Sequence, residues 1–171
     1  MTRYPLFFLS LFAIFALLFG VQPDEARGSL CKADKVVVVK SKRLMLVMGG
    51  GEVLKVYKVA LGKRPVGPKI VVGDKKTPEG TYVLDARKAD SRFHKAIHIS
   101  YPNEADIARA MKNGASPGGD IMIHGLPENF KNVGALHRVT DWTDGCIAVT
   151  NNEIEEIWKI VPDGTPIEIK P

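Results

Sequence analysis

Cysteine is scarce: 171 residues hold only Cys31 and Cys146. That count excludes a disulfide-framework scaffold, and no C-x-x-C or H-E-x-x-H spacing points to a metal site or a paired-thiol redox centre. Low-complexity tracts and internal repeats are also missing, and 45% apolar with 25% charged residues is the composition of an ordinary globular chain. A cationic stripe is absent too. The net charge of +5 comes from scattered Lys and Arg that are not interleaved with aromatics, so nucleic-acid binding is not expected. The length suits one domain with a sizeable core.

Of long hydrophobic runs there is one, PLFFLSLFAIFALLFGV at 5–21, behind Arg3 and ahead of QPDEARG. This is the pattern of a secretory signal, with cleavage expected near Ala26 and an uncleaved membrane anchor as the alternative. Residues 1–26 are therefore assigned as signal or anchor, 27–34 as a linker and 35–171 as one domain, exported to the periplasm or cell envelope. Leu30 and nearby charges argue against lipid attachment at Cys31. In an exported chain Cys31 and Cys146 could pair, but Cys31 falls in the linker and Cys146 in a distinctive motif, so Cys146 is expected to be unpaired. A basic surface outside the cytoplasm suits an anionic polymer, and equally suits simple solubility.

Within 35–171 the pattern is β-rich. KVVVVK and RLMLVM precede Gly49-Gly50-Gly51, and through 53–61 Val53, Lys55, Tyr57 and Val59 alternate with Leu54, Val56, Lys58 and Ala60. An irregular Gly/Pro-rich loop follows, then strands at Thr81 to Leu84, Ala96 to Ser100, Asp120 to His124 and 165–170. Asn103 opens a short helix that ends at Gly114. Thr150 and Glu153 form a capping box ahead of Ile154, Ile157, Trp158 and Val161, and Pro162 ends that helix. With no βαβ rhythm, the expected fold is mainly β: a mixed or antiparallel sheet in sandwich or barrel-like form with two or three short helices.

His124 ends an apolar strand immediately before Gly125, and Cys146 follows Asp144-Gly145 ahead of the short strand Ile147 to Val149. Thiol catalysis needs an accessible cysteine, a base, and backbone donors aimed at an oxyanion. Cys146 and His124 supply the first two. Gly145 would let its own N–H and that of Cys146 approach a bound carbonyl. A neighbouring imidazole lowers a thiol's pKa, so a thiolate is expected near neutrality. Spacing alone leaves this a weak signal.

His124-Gly125, Thr143-Asp144-Gly145-Cys146-Ile147, and upstream Thr77-Pro78-Glu79-Gly80 resemble the YkuD-like L,D-transpeptidase catalytic domain over about 35–171. Two positions depart from the family's commonest form: Asp144 stands where His precedes Gly-Cys, and Ala148 where an Arg follows the Cys by two residues. Loss of that Arg removes a carboxylate anchor. Asp-Trp-Thr-x-Gly-Cys-Ile-Ala looks like a variant subgroup.

The resemblance implies the fold just described and a thioester acyl-enzyme without a cofactor. His124 would deprotonate Cys146, which attacks an L-centre carbonyl in a peptidoglycan stem peptide. A second stem peptide accepts the acyl group, giving roles in cell-wall organisation and cell shape. Water as acceptor would make a carboxypeptidase or hydrolase, and a non-catalytic wall-binding module is the reading from another class. A monomer is expected. Gly125, Thr143 and Asp144 are supporting candidates. His137 is either a second site residue, in relay with Asp141 or Asp144, or a structurally hydrogen-bonded histidine. Trp142 is expected to pack beneath the Cys146 loop, with a substrate wall as the alternative, and Tyr101 to line the cleft or pack at the edge of the core. His94 and His98 share strand parity, but no metal site is assigned to them.

Overall fold

The computed structural model describes residues 32–171; the apolar run, its cleavage site and Cys31 lie outside the described residues. The strands are β1 (Lys35–Val39), β2 (Leu44–Gly49), β3 (Glu52–Lys58), β4 (Gly80–Ser91), β5 (His94–Ile99), β6 (Met122–His124), β7 (Ile147–Ala148) and β8 (Thr165–Lys170). Among the described residues there are two α-helices, α1 (Glu104–Lys112) and α2 (Asn151–Ile160), and further 3-10 segments at Lys40–Lys42 and Glu128–Val139. All eight strands form one sheet in the order β3-β2-β1-β8-β4-β5-β6-β7. It is mixed, because β1 pairs parallel with β8 and β6 parallel with β7 while every other neighbour is antiparallel.

Alternation dictates which face is buried. Val36 and Val38 of β1 register against Ile167 and Ile169 of β8, and all four side chains are buried. Such cross-strand apolar pairs are the unit of sheet stability. Helix α2 covers the same core with Ile154, Ile157 and Ile160, its first turn fixed by the reciprocal Thr150–Glu153 capping box. In α1, Asn103 caps the Asp106 N–H, and the buried Asp106 carboxylate accepts from the Tyr82 hydroxyl at 2.9 Å.

The sheet curls until its two edges are stitched together. Strand β3 stops at Lys58 rather than running to Leu61, because the next residues leave it for the opposite edge. Ala60 and Ala148 exchange both backbone bonds, at 3.0 and 2.8 Å, and Thr143 donates to the Leu61 carbonyl at 3.1 Å. The result is a half-barrel of one sheet, the barrel-like of the two forms expected, and its seam runs beside Cys146.

A buried lysine fastens the Gly/Pro-rich loop to this frame. Lys40 is 2% exposed; its Nζ donates to the Gly67 and Thr77 carbonyls and pairs with Glu79 at 2.8 Å. Removing one partner of a buried pair leaves the other charge uncompensated. Lys40→Met is expected to cost about 3 kcal/mol, read as a lower urea midpoint at unchanged slope, with Glu79→Gln restoring part of the loss.

Candidate active site

Strand β6 ends at His124 and β7 begins just after Cys146. Their register pairs Ile123 with Ile147 and His124 with Ala148. Parity sends Ile123 and Ile147 into the core and turns His124 and Cys146 toward the other face. Both line a cleft of about 580 Å³ and a smaller adjoining one of about 160 Å³.

His124 is 2% exposed and packed by aromatics, with Phe93 stacked on it at 4.3 Å and Trp142 edge-on at 5.8 Å. Its Nδ1 lies 2.7 Å from the Gly125 carbonyl, so Nδ1 carries the proton and Nε2 the lone pair. Burial pushes its pKa down to about 4, the Gly125 contact opposing and the Arg92 charge assisting. Cys146 is partly buried, and its thiol donates to the Asp120 carbonyl at 3.6 Å. Burial pushes this thiol's pKa up, a backbone bond from Met122 opposes, and the Asp144 and Asp120 carboxylates add to the rise. The expected thiolate is thus corrected. Each group is shifted toward its neutral form, so the resting pair is thiol and imidazole.

Thr143 locks the cysteine loop. Its buried hydroxyl donates to the Cys146 carbonyl at 2.7 Å and accepts the Gly145 N–H at 3.1 Å. The Gly145 N–H is therefore engaged within the loop rather than directed at a bound carbonyl. Gly145 sits at φ 134°, and Gly125 has Asn151 Oδ1 within 2.6 Å of where a Cβ would be.

Other candidates fall in varied places. Trp142 stands against His124 and lines the smaller cleft. Its indole N–H points at His137 Nδ1, 3.4 Å away. His137 is buried, its pKa pushed down to about 4 by burial and by Arg138, and its Nε2 has no partner among the described residues. No relay with an aspartate forms: Asp141 takes Arg43 and the Leu61 N–H, while exposed Asp144 pairs with Lys75 and Lys63. His137 reaches the cleft only through Trp142. Tyr101 does not line the cleft. It lies just beyond β5, buried beside Tyr82, and donates to the Pro117 carbonyl, so it packs in the core. His94 and His98 are drawn apart, one to Glu155 on α2 and the other to Asp85 on β4, since His94 opens β5 at φ 70° and breaks the alternation.

Sequence reasoning passed over Arg92 and Phe93, which occupy the turn between β4 and β5 and line both clefts. The available signal was an aromatic next to a cation in a turn that needs neither.

A curled mixed sheet with this cleft at its seam belongs to a definite class. Residues 33–169 match the family model YkuD, the L,D-transpeptidase catalytic domain, and the chain belongs to that family. Among curated proteins it is 35% identical over 112 residues to "Putative L,D-transpeptidase YafK" of Escherichia coli (strain K12), covering 64% of this chain and 38% of that one. Among solved structures it is similar to the helical cell shape determining protein Pgp2 from Campylobacter jejuni, at 26% identity and TM-score 0.61. Bd1075 of Bdellovibrio bacteriovorus superposes at 26% identity and TM-score 0.53. In both structures the match covers 81% of this chain and 48% of the other, so this chain spans about half the length of those relatives or less.

Proposed function

We propose that this domain is a cysteine acyl-transferase acting on peptidoglycan stem peptides in the cell envelope, with Cys146 as nucleophile and His124 as base. One observation carries the reading: a buried imidazole, with Nδ1 committed to the Gly125 carbonyl and Nε2 left as a lone pair, shares its clefts with the thiol of Cys146. Family membership and the apolar run at 5–21 support the substrate class and the export.

As Sγ attacks the carbonyl carbon of the L-centre, Nε2 takes the thiol proton. The Cys146 N–H is the backbone donor proposed to meet the oxyanion, since Gly145 already bonds Thr143. Collapse expels the terminal D-residue, whose amine takes the proton from the imidazolium, and leaves a thioester. An acceptor amine then attacks, His124 takes its proton, and the thiolate leaves and is reprotonated.

Intact-mass measurement after incubation with stem tetrapeptides tests this. The expected result is a gain equal to the donor minus its terminal residue, seen with the natural chain and lost in Cys146→Ala. Adduct decay without an amine would identify water as acceptor. No adduct with any stem peptide removes the acyl-transfer reading and favours a wall-binding module.

A further inference from the structure

Position 148 is a fully buried alanine stitched to Ala60 at the seam, so β7 sends no cation into the cleft. A peptide donor that loses a terminal residue brings a free carboxylate to within a few bonds of the reacting carbonyl. Burying that carboxylate without a partner would weaken binding. The cleft therefore needs an anchor from another element.

Three cations line the two clefts. Lys63 borders only the smaller one and pairs with Asp144. Lys88 borders only the larger one. Arg92 lines both, alongside Cys146 and His124 in each. It makes no ion pair or hydrogen bond with any described residue, and its guanidinium lies 4.8 Å from the centre of the Phe93 ring that stacks on His124. Stacking holds the planar fork while leaving its N–H edges free, the geometry that takes a carboxylate in bidentate fashion. Two carboxylates, Asp90 and Asp120, also line the larger cleft. Neither forms an ion pair with Arg92. The Arg92 charge favours neutral His124 and eases ionisation of Cys146, placing it within electrostatic reach of both.

We propose that Arg92 is the carboxylate anchor of this site, binding the free terminal carboxylate of the donor from the β4–β5 turn instead of from the strand after the cysteine. The choice of terminal donor rests on the acyl-transfer reading; the carboxylate recognition does not.

The experiment has two arms on the full chain. In the first, Cys146 is alkylated with iodoacetate and with iodoacetamide, and the ratio of the two rates is read from the mass of its peptide. Arg92→Gln, a change at an exposed turn, is expected to lower that ratio about tenfold, the scale of one hydrogen-bonded charge pair, and Lys88→Gln to lower it less than about twofold. An unchanged ratio in Arg92→Gln, or an equal fall in Lys88→Gln, overturns the anchor. In the second arm, acyl-enzyme formation is compared for a stem tetrapeptide and its C-terminal carboxamide. The natural protein is expected to favour the acid about tenfold through KM, and Arg92→Gln to erase that preference. If the peptides acylate Cys146 and the preference survives Arg92→Gln, the anchor falls while acyl transfer stands. If the alkylation ratio shifts but neither peptide reacts, the anchor stands and the stem-peptide donor falls.

Discussion

Acyl-enzyme formation by this domain is expected to hold its rate down to about pH 5, while alkylation of Cys146 by a neutral reagent climbs with pH to beyond the ordinary thiol value of about 8.5. The two profiles separate because they draw on different forms of one pair. Alkylation needs the thiolate, and the Cys146 pKa is pushed up by burial and by Asp144 and Asp120. General-base attack needs only neutral imidazole beside a thiol, and burial brings the His124 pKa down to about 4. A base with a lowered pKa keeps its lone pair into acid, so activity is lost only as pH falls through about 4. His124→Gln is expected to lower acyl-enzyme formation about a thousandfold at neutral pH, and the residual rate should then rise with pH as the thiolate appears. Initial rates over pH 4 to 10 check all three statements. Fast alkylation at pH 6 would mean a preformed ion pair and would sink this account.

Much of the frame was legible locally. Short apolar runs mark β1 and β2, period-two alternation marks β8, and the Thr150–Glu153 box fixes the start of α2, because those signals lie within a few residues of one another. His124 and Cys146 stood out as candidates through the motifs that resemble the family, since a glycine beside each at a strand end is by itself a weak signal. What escaped depends on contacts distant in sequence. Ala60 and Leu61 continue the run of β3, yet their backbone partners are Ala148 and Thr143 across the seam. The protonation states of His124 and Cys146 escaped for the same reason, because burial is a tertiary property. Arg92 and Phe93 belong to no motif, and only the fold brings the β4–β5 turn to line both clefts. Tyr101 left two readings open in sequence, and the fold spends it on the core and not on the cleft.

The seam explains why Gly145→Ala should be among the most damaging single-atom additions in the chain. Gly145 holds φ at 134°, where a side chain is strained, and its added Cβ would lie 2.7 Å from the Lys76 carbonyl oxygen and 3.0 Å from Ile121 Cδ1. The Lys76 oxygen belongs to backbone fastened by the Asp74 carboxylate, which accepts the Ile70, Val71 and Lys76 N–H groups. Neither side yields easily. The cysteine loop would have to swing away, breaking the Gly145–Thr143 and Thr143–Cys146 bonds that set the nucleophile. Strain and overpacking together are expected to cost about 3 kcal/mol of stability. Displacing Sγ by about 1 Å lowers acyl-enzyme formation about a hundredfold. Gly51→Ala provides the contrast: its φ is 85°, but a Cβ there meets nothing within 4 Å, so only backbone strain of about 1 kcal/mol is expected, with the rate unchanged. Urea midpoints and single-turnover acylation rates of the two variants separate the contributions. A Gly145→Ala protein that acylates at the natural rate would show that the Thr143 lock does not position Cys146.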